Sequence, residues 1–306
     1  NISYTYDNNG NLLTATDSAG TVTRNSDALN RVITYQDTND NIISYQYDAA
    51  GNLIQTTYPD NKTVNYIYDA ANRLIAVTDW ANRNTHYSYD KNGRLVQTIR
   101  PDGSILTMSY DAAGQLTQQK DVDQNNNTIA QYDFTYDEAG KVKTEQSIVP
   151  LTPYTTADIN MNYGPDNRLI SYNGETTNYD QDGNMINGPL QGNMDAYTYD
   201  SRNRLTRAGT TTYTYDAEDH RIGSSEAQYI INPQAGLSQV LEINRGESNS
   251  YCIYGLGLLG TEDAAGSYQV YHYDRRGSTV AITDLTGAIT DTFCYGPYGE
   301  ISNHTG

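Results

Sequence analysis

The sequence predicts an all-β fold built from a short internal repeat, and three observations carry that expectation. Tyr-Asp pairs recur at a fixed step, a turn signal follows each pair, and residues between turns alternate apolar and polar. From Tyr47-Asp48 the pairs fall at Tyr68-Asp69, Tyr89-Asp90 and Tyr110-Asp111, a step of 21 residues three times running. Further pairs stand at Tyr6-Asp7, Tyr136-Asp137, Tyr179-Asp180, Tyr199-Asp200 and Tyr215-Asp216. Worn copies without the pair sit at Ser26-Asp27 and Tyr163-Gly164.

Each element of the repeat has a physical reason. After the pair comes Asp-x-x-Gly or Asp-x-x-Asn, as in Asp48 to Gly51, Asp69 to Asn72, Asp90 to Gly93 and Asp111 to Gly114. Gly and Asn enter left-handed backbone most cheaply, and an Asp carboxylate accepts from the N–H groups of its own turn. The unit therefore reads as a hairpin turn, and the apolar residue two places later restarts a strand. A second turn lies in mid-repeat, at Asp17 to Gly20, Pro59 to Asn61, Asp79 to Asn82 and Pro101 to Gly103. Two turns in 21 residues leave two strands, such as Thr63 to Tyr68, so each repeat is a hairpin that must stack on its neighbours to bury a face. Period-two alternation predicts an almost helix-free chain, with far-UV circular dichroism well below about a quarter helix. The insertion 123–127 and the stretch 148–159, with Pro150 and Pro153, read as loop changes in one array.

Composition narrows the function. Tyr supplies 29 aromatics against 2 Phe and 1 Trp, which suits rings that are buried while their hydroxyls reach a partner. The net charge of −18 argues against sequence-independent nucleic-acid binding and anionic membrane surfaces. It is the charge of a soluble surface, or of a shell around a basic cargo. No apolar run approaches the roughly 20 residues that span a bilayer, so no membrane insertion is expected. Residue 1 is Asn, and the chain is expected to be part of a longer product.

Catalytic candidates are few. His86, His220, His272 and His304 lack metal-ligand spacing, and Cys252 and Cys294 read as free thiols or a single bridge. The run Gly255 to Gly260 has no βαβ context for a dinucleotide, and Ser278 lacks a nucleophile elbow. Acidic residues that recur are turn residues, so no enzyme activity, cofactor or metal is expected.

The 21-residue series resembles the YD repeats of Rhs proteins, of Tc toxin C components and of teneurins. The segment Tyr271-His272-Tyr273-Asp274 to Gly277, with Asp284 and Gly287, then Tyr295-Gly-Pro297 and Gly299, is similar to the Rhs-associated core. The resemblance implies a β-hairpin ribbon spiralling into a hollow shell or open spiral, with the core closing one end over a toxic C-terminal polypeptide. It also implies self-cleavage at a DPxGL-type motif beyond the core; the residues to Gly306 carry no such motif, and Asp274 and Asp284 are not assigned to it. The expected division is a YD-repeat array over 1–227 and a core-like closing segment over 228–306, packed on the array. The implied function is a non-catalytic scaffold of a secreted or surface-located bacterial toxin. Its partners would be an enclosed toxin polypeptide or the rest of the same chain, and a secretion apparatus or surface component. The competing reading, suggested by teneurins, is an extracellular adhesive module that binds protein or glycan.

Overall fold

The computed structural model describes residues 1–152, 159–246, 248–296 and 299–306; Pro153 and Pro297, both singled out from the sequence, lie outside them. No helix occurs among the described residues, and the strands pair antiparallel. The chain divides into two units, residues 1–42 with 156–249 and residues 43–155 with 250–306. In the first, sequence neighbours pair from Ser3–Tyr6 through Val32–Gln36, from Met161–Tyr163 to Glu175–Thr176, and from Asn178–Tyr179 to Gln239–Arg245. In the second, they pair through the repeats to Val142–Ile148, and again up to Ile301–Thr305.

The turn after each pair follows one hydrogen-bond plan. Asp48 N donates to Asn52 O, Gly51 N donates to Asp48 O, and Gly51 stands at φ +92°. Gly93 and Gly114 have φ of +80° and +85°, and Asn30, Asn72 and Asn203 hold the same left-handed place where the repeat has no glycine. Tyr47 pairs with Leu53 and Tyr68 with Leu74, each beside a register shift, as expected of a turn that closes on a glycine bulge. The carboxylate completes the turn: Asp90 Oδ1 accepts from Asn92 N and Arg94 N at 2.9 Å each. Gly114→Val is expected to cost more than about 1 kcal/mol, while Ala113→Ser at an ordinary φ costs little. Parallel melts of the two variants check this, and equal shifts would count against the turn.

The residue after the Gly or Asn grips the same carboxylate. Asn52 Nδ2 donates to Asp48 Oδ2 at 2.8 Å, and Arg73, Arg94 and Arg204 place Nε on Asp69, Asp90 and Asp200 at 2.7–2.8 Å. The arginines also cover a tyrosine of the next repeat, Arg73 at 4.8 Å from the Tyr89 ring centre and Arg94 at 4.5 Å from Tyr110.

The tyrosine hydroxyl explains the scarcity of Phe. Tyr89 and Tyr110 donate to the carbonyls of Leu74 and Leu95 at 2.8 Å, and Tyr136 to Leu116 at 2.7 Å. Leu74–Thr78 pairs with Asn84–Tyr89 only from Ala76 to Thr78, so the Leu74 carbonyl lies past the ladder. The hydroxyl of the following repeat supplies a donor to that carbonyl.

Candidate functional site

The turn carboxylates of Asp48, Asp69, Asp90 and Asp284 are held below the usual carboxylate range. The side-chain bond from Asn52 lowers Asp48, that from Arg73 lowers Asp69, the backbone bond of Arg94 lowers Asp90, and the Thr286 side chain lowers Asp284. A depressed folded value stabilises above the unfolded value and is lost as pH falls through the folded one. As these groups protonate, stability is therefore expected to fall below about pH 4. Denaturant midpoints across pH 2–5 check this; a midpoint that rises between pH 4 and pH 2 would contradict it.

In the second unit, four mid-repeat turns hold the strands after residue 250. Tyr58 Oη donates to Cys252 O at 2.7 Å. Trp80 Nε1 donates to Glu262 at 2.9 Å, Arg83 pairs with the same carboxylate, and its guanidinium lies 3.9 Å from the Tyr268 ring centre. Asp102 receives the Thr283 hydroxyl at 2.6 Å, and Gln124 Nε2 donates to Thr286 O at 2.7 Å. Gln119 Nε2 adds a bond to Tyr273 O at 2.7 Å. An apolar cluster of Ala130, Tyr132, Phe134 and Val280 packs beside them.

The polar centre of this joint is sealed. His272 and Thr283 are fully buried, with Asp121 and Asp102 1% and 3% exposed. His272 Nδ1 stands 3.0 Å from Asp121 Oδ2 and Nε2 stands 2.9 Å from Thr283 Oγ1. Arg100 Nη1 donates to Asp121 Oδ1 at 2.9 Å, and Ser104 gives both N–H and hydroxyl to Asp102 Oδ1. Burial alone would raise Asp121, but the Arg100 charge and the His272 bond outweigh it and hold the carboxyl at about 2.

Thr283, His272 and Asp121 have the spacing of a nucleophile, its base and an orienting carboxylate. Two features turn the arrangement into a tie. The Thr283 proton is committed to Asp102, and the hydroxyl has no exposed surface on which a substrate could approach. Beside the joint lies a cavity of about 590 Å³ lined by Leu95, Leu106, Met108, Leu258, Tyr273 and Arg100.

The sequence-derived residues are distributed as follows. Tyr47, Tyr68, Tyr89 and Tyr110, their aspartates and Gly51, Gly93 and Gly114 stand one set per repeat and are not gathered into one place. Of the core-like set, His272 enters the buried network. Asp274 Oδ1 accepts from Arg276 N and Ser278 N, and Asp284 Oδ1 from Thr286 and Ala288, so both cap their own turns. Gly277, Gly287 and Gly299 have φ of +85°, +79° and +85°, and Tyr295 pairs with Ile301. Cys252 and Cys294 are free thiols. In the first unit, Asp216, Glu218 and His220 offer ligand atoms within 4.8 Å of one another. Asp216 caps its turn and bonds His220 Nδ1, while Glu218 pairs with Arg24 at 2.6 Å, so these groups already serve the fold.

Sequence reasoning missed Tyr58, Trp80, Arg100, Asp121, Glu262 and Thr283. A signal was present: Tyr58 and Arg100 open turns that elsewhere open with Asp, and Trp80 is the single tryptophan.

The Teneurin YD-shell family model matches residues 104–306, about two thirds of the chain. The chain belongs to that family. The RHS Repeat model also matches this YD-shell chain three times, over 27–63, 47–84 and 68–105. Among curated proteins it is similar to the tRNA3(Ser)-specific nuclease WapA of Bacillus spizizenii, 26% identical over 180 residues. It is also similar to the tRNA nuclease WapA of Bacillus subtilis, 24% identical over 180 residues. Each match covers 55% of this chain and 7% of the relative, so the chain spans a small part of their length. Among solved structures, a crystal structure of TcdB2-TccC3 matches with a TM-score of 0.68 at 13% identity, over 99% of this chain and 22% of that one. The TcdB2-TccC3-Cdc42 complex matches at 0.63, with the same identity and coverage. These likenesses establish the shared all-β fold.

Proposed function

We propose that the chain is a non-catalytic scaffold of a bacterial Rhs-type toxin, forming part of a shell that encloses or presents a C-terminal toxin polypeptide. The observation that carries this reading is the joint itself: four repeat turns spend their side chains on holding the core-like strands in place. Such a joint suits a wall that must stay closed. The YD-shell family and the likeness to named WapA nucleases support a repeat scaffold that accompanies a toxin. In this reading residues 1–227 are the array and 228–306 the closing segment. The partner is the toxin polypeptide or the rest of the same chain, with a secretion-apparatus or surface component, and the place of action is outside the cell or at its surface.

The test is proteolysis of the full reading frame. The polypeptide downstream of residue 306 is expected to resist trypsin while the repeats are folded, and to be cut at the rate of a free peptide once urea opens them. Rapid digestion of that polypeptide beside intact repeats would overturn the container and favour an adhesive module.

A further inference from the structure

With Asp102 ionised, hydrogen-bond accounting around His272 leaves one ring state that satisfies every partner. Ser104 delivers its backbone N–H and its hydroxyl to Asp102 Oδ1, at 3.0 and 2.7 Å, which keeps that carboxyl an acceptor. The other oxygen, Oδ2, takes the Thr283 proton at 2.6 Å. A hydroxyl has one proton, so Thr283 Oγ1 can meet the ring nitrogen 2.9 Å away only by accepting from it. On the other side, Nδ1 faces Asp121 Oδ2 at 3.0 Å, a carboxylate that Arg100 holds ionised. Both ring nitrogens therefore donate.

Charge balance points the same way. The sealed cluster brings together Asp102 and Asp121 from the repeat side with Arg100 as the one fixed cation, on groups at most 7% exposed. With both carboxylates ionised, a neutral ring would leave a buried net negative charge, which low-dielectric surroundings penalise heavily. The turn above supplies no surplus cation, because Asp79 and Glu262 share Arg83.

We propose that His272 is a buried imidazolium whose Nε2–H donates to the Thr283 hydroxyl while that hydroxyl donates to Asp102, a chain that fastens strands Tyr268–Tyr273 and Thr279–Asp284 to the repeat turns. The ring is a lock set by a proton: with it, both strands are tied to the turn 100–103 and to strand Leu116–Val122. Without it, Nε2 and Thr283 present two acceptors to each other and the tie to Asp102 is lost. The inference stands whether or not the shell holds a cargo.

The test is nitrogen-15 NMR of histidine-labelled full chain at pH 7.5, with His272→Gln to assign the ring among the four histidines. Two slowly exchanging ring N–H groups, both nitrogens at the imidazolium position, are expected and should vanish in His272→Gln. A single ring proton on Nδ1, with Nε2 at the unprotonated position, would overturn the proposal and place the shared proton on Asp102. Asp102→Asn supplies the second arm. Ser104 occupies one side of that group, so the new amide nitrogen faces Thr283 and donates to it. The Thr283 proton then turns to Nε2, and the ring is expected to keep only its Nδ1 proton. Amide exchange in the two strands should quicken at least tenfold. A ring that retains both protons in Asp102→Asn would show that the relay does not exist, and should that variant not fold, the wild-type spectrum decides alone.

Discussion

Asp121→Ala is expected to destabilise the second unit by about 3–5 kcal/mol, because it strips one carboxylate from two buried cationic partners at once. Arg100 keeps only its longer contact to Ser104 at 3.3 Å, and His272 loses the acceptor at Nδ1. Removing one member of a buried charged set costs far more than the set adds in net stability, since the remaining charges stay out of water. Asp137→Ala provides the contrast. That carboxylate caps an exposed turn of the same unit through Ala139 N and Lys141 N, and water can replace it as a partner. Urea titrations of both variants, with slopes matching the wild type, check the difference. Similar midpoints for the two would mean that the sealed network carries no special weight.

Gly260→Val is expected to cost about 3 kcal/mol or more through overpacking. Gly260 lies in strand Leu258–Asp263, and a Cβ there would meet the Tyr268 ring and the Gln269 carbonyl. The ring cannot move aside cheaply. Tyr268 is 4% exposed, and Arg83 lies over its ring while pairing with Glu262. The added side chain would thus open the neighbouring tie as well as strain its own strand. Gly257, three residues earlier, has nothing within 4 Å of where a Cβ would stand, so Gly257→Ala should change stability by no more than about 0.5 kcal/mol. The pair of melts checks the assignment, and a tolerant Gly260 would show that the ring is not fixed.

The parts of this architecture that repeat were legible in the sequence. Asp48 to Gly51 and its copies announce a turn because the same side chain, the same left-handed residue and the same restarted strand recur every 21 residues. The joint was not legible, for a physical reason. His272 meets Asp121 across 151 residues and Thr283 meets Asp102 across 181, distances over which no local spacing is kept. The period even hides them, since Asp102 sits in a turn where an aspartate is unremarked. What marks the joint is departure from the period: Arg100 where the turn should open with Asp, Tyr58 in the same place two turns earlier, and Trp80 beside Asp79. In a repeat protein the residues that keep the pattern hold the sheet, and those that break it have a partner elsewhere. That residues 250–306 pack with 43–155 follows from those exceptions.

The claim that the strands after residue 250 are held by the repeats, and are not a domain in their own right, is tested most directly by amide hydrogen exchange. The comparison is between residues 250–306 as an isolated peptide and the same residues in the whole chain. In the whole chain, Tyr268–Tyr273 and Thr279–Asp284 should rank among the slowest-exchanging strands, since their ties to Asp102, Gln119 and Asp121 are buried. In the isolated peptide the same amides should exchange at the rate of an unfolded chain. Protection of those strands in the isolated peptide, with a cooperative melt of its own, would contradict the account.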